Sequence, residues 1–344
     1  MRKNANKSLG SAPFIGPATS FFSFSSDDPE RVLRELRGDD LFFAEAEIAV
    51  ARCEFARARD LYGILSTSKR YYLAAVRIGV IAAIGLGDLR LLDSVLVKVE
   101  KFRASVKDNP TGQKLADIVE SWVRQWLWRP TGYPEWIARF DFAELPKDWR
   151  HPAAYLGVMA RLNAGQFESA YAAAALLMSF DETVDESGSR LTAASAHLRM
   201  ARAISCRETG RDDEMRKWLV ELIRELAPHG FFLPFVIFLH CRHKSPVVEI
   251  LTEVAPTEVR RYKELSKSYF ANLIRARNHI TGEKVTDELS LREFYLAMLL
   301  KRGLSYKELA DRFGLSVGRI KNILSVLYQK LQIHARSEIG GLVW

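Results

Sequence analysis

The chain has 344 residues, 48% apolar, 11% aromatic and 27% charged, with a formal net charge of +8. This is the composition of a soluble globular protein long enough for two domains and a sizeable core. Cys53, Cys206 and Cys241 are too few and too scattered for a disulfide framework, which points to the cytoplasm. The charge is uneven: residues 289–344 hold 9 Lys/Arg against 4 Asp/Glu, residues 256–288 hold 7 against 5, and Arg2, Lys3 and Lys7 add to the amino end. Residues 8–255 are left at −2, so basic charge collects at the two ends, as a polyanion footprint requires.

Residues 1–28 read as a mostly disordered arm rich in Ser, Gly and Pro. Prolines interrupt what would be the apolar core of a signal peptide, so none is expected. Phe14, Phe21, Phe22 and Phe24 are unusual for such an arm and suggest that it docks on the folded body.

Residues 29–280 predict helices throughout: Ala, Leu, Arg and Glu dominate, and β-branched alternation is scarce. The most apolar run, residues 71–87, contains Arg77 and is too short and too charged to cross a bilayer; a buried helix fits it better, and no membrane partner is expected. An internal echo recurs at Cys53, Gly87, Gly165 and Gly210. Each is a small residue, with a packing position five further on: Ala58, Leu92, Ala170 and Met215. The first step is 34 residues; the others, 78 and 45, break that period. The pattern resembles the second half of a tetratricopeptide repeat, which implies a degenerate tetratricopeptide-like helical array that senses a ligand or partner. An irregular bundle of amphipathic helices is the other reading.

Within this region, Trp122, Trp126, Trp128, Trp136 and Trp149 cluster among Pro130, Pro134, Pro146 and Pro152. One reading is an aromatic-lined pocket for a small molecule or peptide, made by Trp122, Trp126, Trp136 and Trp149. The other is that large aromatics plug an irregular join between helix pairs.

After a linker at 281–288, residues 289–344 carry the strongest local signals. Ser290 with Glu293, and Ser305 with Glu308, have capping-box spacing, and Ser316 suits a helix N-cap. Gly303 and Gly314 fall just past two of the helices so defined. Ala310 is small where two helices would cross. In the last helix Ile320, Ile323, Leu324, Leu327 and Leu331 share one stripe. Gly318, Lys321, Asn322, Ser325 and Gln329 share the opposite one, which suits approach to phosphates and base edges.

The segment resembles the LuxR/FixJ-type helix-turn-helix of bacterial transcription regulators. The match runs through "LSLRE" (289–293), "GLSYKELADRFGLS" (303–316), "IK" (320–321), "YQKL" (328–331), Arg336 and Glu338, over roughly one sixth of the chain. The resemblance implies an all-α, four-helix DNA-binding domain that works as a homodimer on double-stranded DNA. By it, Lys321, Asn322 and Ser325 meet DNA, while Arg292, Glu293, Lys307 and Glu308 are framework or phosphate-proximal. The chain departs at Tyr306, Arg319 and Ile323, where the family has Asn, Thr and His. Arg319, beside Gly318, adds phosphate-seeking charge. Gly340 and Gly341 each cost a helix about 1 kcal/mol, against the short dimerising helix the family carries there.

Catalytic signals are weak, and no enzyme activity, cofactor or metal is expected. Gly314–Gly318 formally fits G-x-S-x-G, but a helix enters where a nucleophile elbow needs a strand. His240 and His243 lack a second ligand pair, and no phosphate-cradling G-x-x-x-x-G-K-[ST] occurs. Two functions remain: a DNA-binding regulator, or a protein-interaction adaptor with a vestigial helix-turn-helix. Phe294 and Met298, apolar where the family is polar, favour a docking face onto the array or a second subunit.

Overall fold

A computed structural model describes residues 29–127, 132–182, 193–237, 246–282, 289, 291–331 and 333–339. The arm at 1–28, Trp128, His240–His243, most of the expected linker, Ser290, Gly340 and Gly341 lie outside the described residues. The described residues form seventeen α-helices, three 3-10 turns and their connections, with no strand among them. None of these helices is long and apolar enough to cross a membrane.

The chain divides into two compact units, Met1–Val236 and Ile237–Trp344. The first contains α1 (Pro29–Glu35), α2 (Gly38–Ala51), α3 (Phe55–Leu65), α4 (Tyr72–Leu86), α5 (Leu89–Ser105) and α6 (Pro110–Trp126). It continues with α7 (Glu135–Ala138), α8 (Lys147–Asn163), α9 (Phe167–Glu182), α10 (Ala193–Glu208) and α11 (Asp212–Leu226), and α12 (Leu233–Ile237) ends at the divide. Sequence neighbours from α2 to α6 and from α8 to α11 pack as hairpins. In addition α2 touches α4, α4 touches α6, α6 touches α8 and α8 touches α10. Helices α2, α4, α6, α8 and α10 thus form a continuous row, with α3, α5, α9 and α11 packed against it.

The echo marks where this row turns. Cys53, Gly87, Gly165 and Gly210 all take left-handed backbone, with φ of 60°, 66°, 74° and 76°. At each, the next residue's N–H donates back to a carbonyl in the helix just ended: Glu54 to Ala49, Asp88 to Ala83, Gln166 to Arg161 and Arg211 to Cys206, at 2.8–2.9 Å. This is a helix-terminating turn that satisfies orphan carbonyls and restarts the chain as a helix two residues on. Ala58, Leu92 and Ala170 are 0% exposed, and Met215, in the poorest echo, is half-buried. The sequence repeat is therefore a repeat of turns and helix crossings, whatever its period.

Local chemistry fixes several other helix starts. Asp88 accepts from the Leu91 N–H at 3.0 Å, and Asn109 from the Gly112 N–H at 2.9 Å, with Pro110 in the first helical turn. The apolar run at 71–87 is α4, with 12 of its 15 residues buried, because α2, α3, α5 and α6 enclose it. Arg77 is tolerated there because its guanidinium donates to Glu47 on α2. Gly85 lets α3 approach: a Cβ at that position would collide with the base of the Phe55 ring. Gly85→Ala is expected to lower stability by up to about 2 kcal/mol, read from the denaturation midpoint. Overpacking of about 1–3 kcal/mol outweighs the gain of about 1 kcal/mol in helix propensity.

Trp122, Trp126 and Trp149 are 3%, 6% and 1% exposed. Trp122 and Trp149 lie with ring centroids 5.5 Å apart, and Trp126 meets His197 edge-on at 6.2 Å. These rings pack at the join between α6, α8 and α10, which favours the plugging reading for all three. Trp136 is half-buried; its indole N–H donates to Asp117 at 2.9 Å and Lys114 lies over its ring.

The second unit contains α13 (Pro246–Val254), α14 (Val259–Thr281), α15 (Leu291–Lys301), α16 (Tyr306–Phe313), α17 (Val317–Leu331) and a 3-10 turn at Arg336–Glu338. It begins well before the expected linker, so α14 belongs with the carboxyl-terminal helices and not with the array. One stripe of α14, Tyr262, Ser266, Tyr269, Phe270, Leu273, Ala276 and Arg277, is buried.

Candidate nucleic-acid interface

The candidate interface is α17 with the turn that presents it. That turn is set by short polar side chains. Ser305 accepts from the Glu308 N–H at 3.3 Å, while Glu308 accepts from the Ser305 N–H at 2.7 Å, a reciprocal cap that starts α16. The Ser305 contacts hold Glu308 below the usual carboxylate range, so the cap acts at neutral pH and is lost as pH falls through that lowered value. Gly314 ends α16 at φ 63°, where a Cβ would be strained, and the Leu315 N–H returns to the Ala310 carbonyl at 2.9 Å. Two residues later Ser316 accepts from the Arg319 N–H at 3.2 Å and starts α17.

α15, α16 and α17 contact one another pairwise, and α15 also meets the 3-10 turn. Leu309, Ala310 and Phe313 of α16 and Ile320, Leu324 and Leu327 of α17 are at most 3% exposed; Ile323 and Leu331 are half-buried. Polar ties fix the assembly. Lys330 on α17 pairs with Glu293 on α15 at 2.8 Å, and Arg336 donates to the Leu300 carbonyl at 2.9 Å, closing the carboxyl end of α15. Arg312 donates to the Tyr295 hydroxyl at 3.3 Å.

The other side of α17 is open. Gly318, Asn322, Ser325 and Gln329 are exposed, and at about 100° per residue they form one outward ridge. Lys321 lies on one shoulder of the ridge, and Arg319 and Val326 lie on the other; all three are exposed. The helix has no acidic residue. Among the described residues Lys307, Arg319 and Lys321 form no ion pair, unlike Lys330. The ridge is narrow at Gly318, hydrogen-bonding through Asn322, Ser325 and Gln329, and flanked by mobile positive charge. Val326, 46% exposed, was not expected in the site; its signal is an apolar residue at a position one turn past Asn322, off the buried stripe.

Of the other expected residues, Lys307 is exposed on the first turn of α16. Arg292 lies on the first turn of α15, and its side chain is outside the described residues. Phe294 is not exposed: it is 1% accessible, with the Arg277 guanidinium of α14 5.7 Å from its ring centroid. Met298 is half-buried. The contact between Arg277 and Phe294 ties α14 to α15.

No family model, curated protein or solved structure matches this chain.

Proposed function

We propose that the chain is a sequence-specific DNA-binding transcription regulator. In this reading α16, the Gly314 turn and α17 are a LuxR-type helix-turn-helix, and the row of helices in the first unit is a degenerate tetratricopeptide-like array that senses a small molecule, peptide or protein. The observation that carries it is the outward face of α17: a small and polar ridge with unpaired cations on both shoulders, held up by two helices. A helix so presented enters a major groove and meets base edges with its polar side chains. Asn322 and Ser325 read bases, Lys321 reads a base or holds a phosphate, and Arg319 and Lys307 hold phosphates. The module works as a homodimer on an inverted repeat. The adaptor reading drew its weight from Phe294 and Met298; Phe294 is buried and Met298 half-buried, and the exposed polar face of α17 favours the regulator.

Gel-shift titration of the full chain against genomic fragments tests the proposal. Saturable, fragment-selective shifts are expected; diffuse, salt-labile binding alone would reject it. On a selected fragment, Lys321→Ala is expected to weaken binding by about 1–3 kcal/mol if it reads a base. If it holds a phosphate, the log-log salt slope falls by about one. Binding unchanged in both respects would remove Lys321 from the interface.

A further inference from the structure

We propose that α14 forms a second DNA-backbone contact, so that the footprint on duplex DNA extends beyond the helix-turn-helix. The inference rests on the DNA-binding reading and deepens it. The divide at Ile237 places α14 in the same compact unit as α17. That unit holds 18 Lys/Arg against 11 Asp/Glu, or +7 of the chain's +8. Much of this charge lies on α14 itself, which has six Lys/Arg and a single acid, Glu264.

The helix separates its two faces cleanly. Tyr262, Tyr269, Phe270, Leu273, Ala276 and Arg277 are 1–5% exposed and turn into the unit. Arg260, Lys263, Lys267, Ala271 and Arg275 are exposed on the far side. Arg260 meets Glu264 at 3.9 Å, an exposed pair, and Arg261 meets the half-buried Glu258 at 3.9 Å; contacts this long compete weakly with a phosphate. Lys263 and Lys267 form no ion pair among the described residues. They stand one helical turn apart, about 6 Å along the axis, a span within reach of successive phosphates of one strand. A solvated face needs no charge bias; here the cations outnumber the acid on a helix whose opposite face carries Arg277, which lies over Phe294 of α15, the helix that supports α17. A recognition helix seated in a major groove brings the flanking phosphate strands against the rest of its domain, and those contacts position the protein without reading sequence.

The test uses the full chain and one duplex recovered from the gel-shift selection. The double variant Lys263→Gln/Lys267→Gln keeps helix propensity, so its thermal midpoint should match the parent. Its log-log salt slope is expected to be shallower by about two, near 0.9 for each lost phosphate contact. Its preference for selected over random duplex should be unchanged. Lys101→Gln/Lys107→Gln, exposed lysines of the first unit, makes the same change in net charge and should leave the slope as it was. An unchanged slope for Lys263→Gln/Lys267→Gln, with Lys321→Ala still defective, would overturn the α14 contact and leave the DNA-binding reading standing. Equal loss in the control pair would assign the effect to net charge and also overturn the contact. Failure of the parent chain to bind any duplex would overturn both.

Discussion

Arg77→Met is expected to cost the first unit about 3–5 kcal/mol, read as a lower urea midpoint. The Arg77 guanidinium donates to Glu47 between α4 and α2, with the residues 9% and 3% exposed. Methionine keeps most of the side chain's volume and all of its flexibility, so packing changes little. What changes is that a buried carboxylate loses its charge partner, which costs far more than an intact pair contributes. A water-sized cavity of about 20 Å3 adjoins the pair, lined also by His197 and Phe231, and is too small to rehydrate the carboxylate in bulk. Glu47→Leu in the same chain is expected to recover most of the loss, because removing both charges removes the desolvation cost. The double-mutant cycle separates these terms. A loss below about 1 kcal/mol for Arg77→Met would show that the pair is hydrated in solution.

Phe294→Ala is expected to cost the second unit about 3–5 kcal/mol. The ring is 1% exposed and lies under the Arg277 guanidinium, so truncation leaves a void and removes a cation–π contact. Hydrogen exchange of α14 and α15 amides should lose protection together. DNA binding should fall with stability, since α15 supports both α16 and α17. Higher DNA affinity at unchanged stability would instead identify Phe294 as part of a masking contact that opens to release α17.

Much of this was legible because it is local. Capping boxes, N-cap serines and helix-ending glycines are decided within four or five residues, and Ser305, Glu308, Gly314 and Ser316 do in the structure what their spacing implies. The Cys53–Gly210 echo belongs to the same class: left-handed turns announce themselves by small residues, though at Cys53 the residue is not glycine. What escaped was long-range. The sequence shows that α14 is amphipathic but not which body receives its apolar face, and the expected linker at 281–288 starts where this helix ends. Phe294 is buried with the Arg277 guanidinium, seventeen residues earlier, over its ring, a pairing that no local pattern announces. By composition the tryptophans allowed a pocket or a plug; Trp122 and Trp126 stand four apart on α6 and share its buried face, as a plug requires.

The central claim is that the outward face of α17 meets duplex DNA, and site-specific photocrosslinking tests it most directly. Asn322→p-benzoylphenylalanine and Ser325→p-benzoylphenylalanine place a reactive group on the ridge, and the same substitution at Leu176, an exposed residue of α9, serves as the reference. The account predicts that the two ridge positions crosslink to bases of a selected duplex, that unlabelled selected duplex competes them away and random duplex does not, and that the Leu176 position stays unlinked. Ridge positions that crosslink no more than Leu176, on every duplex the chain retains, would contradict it.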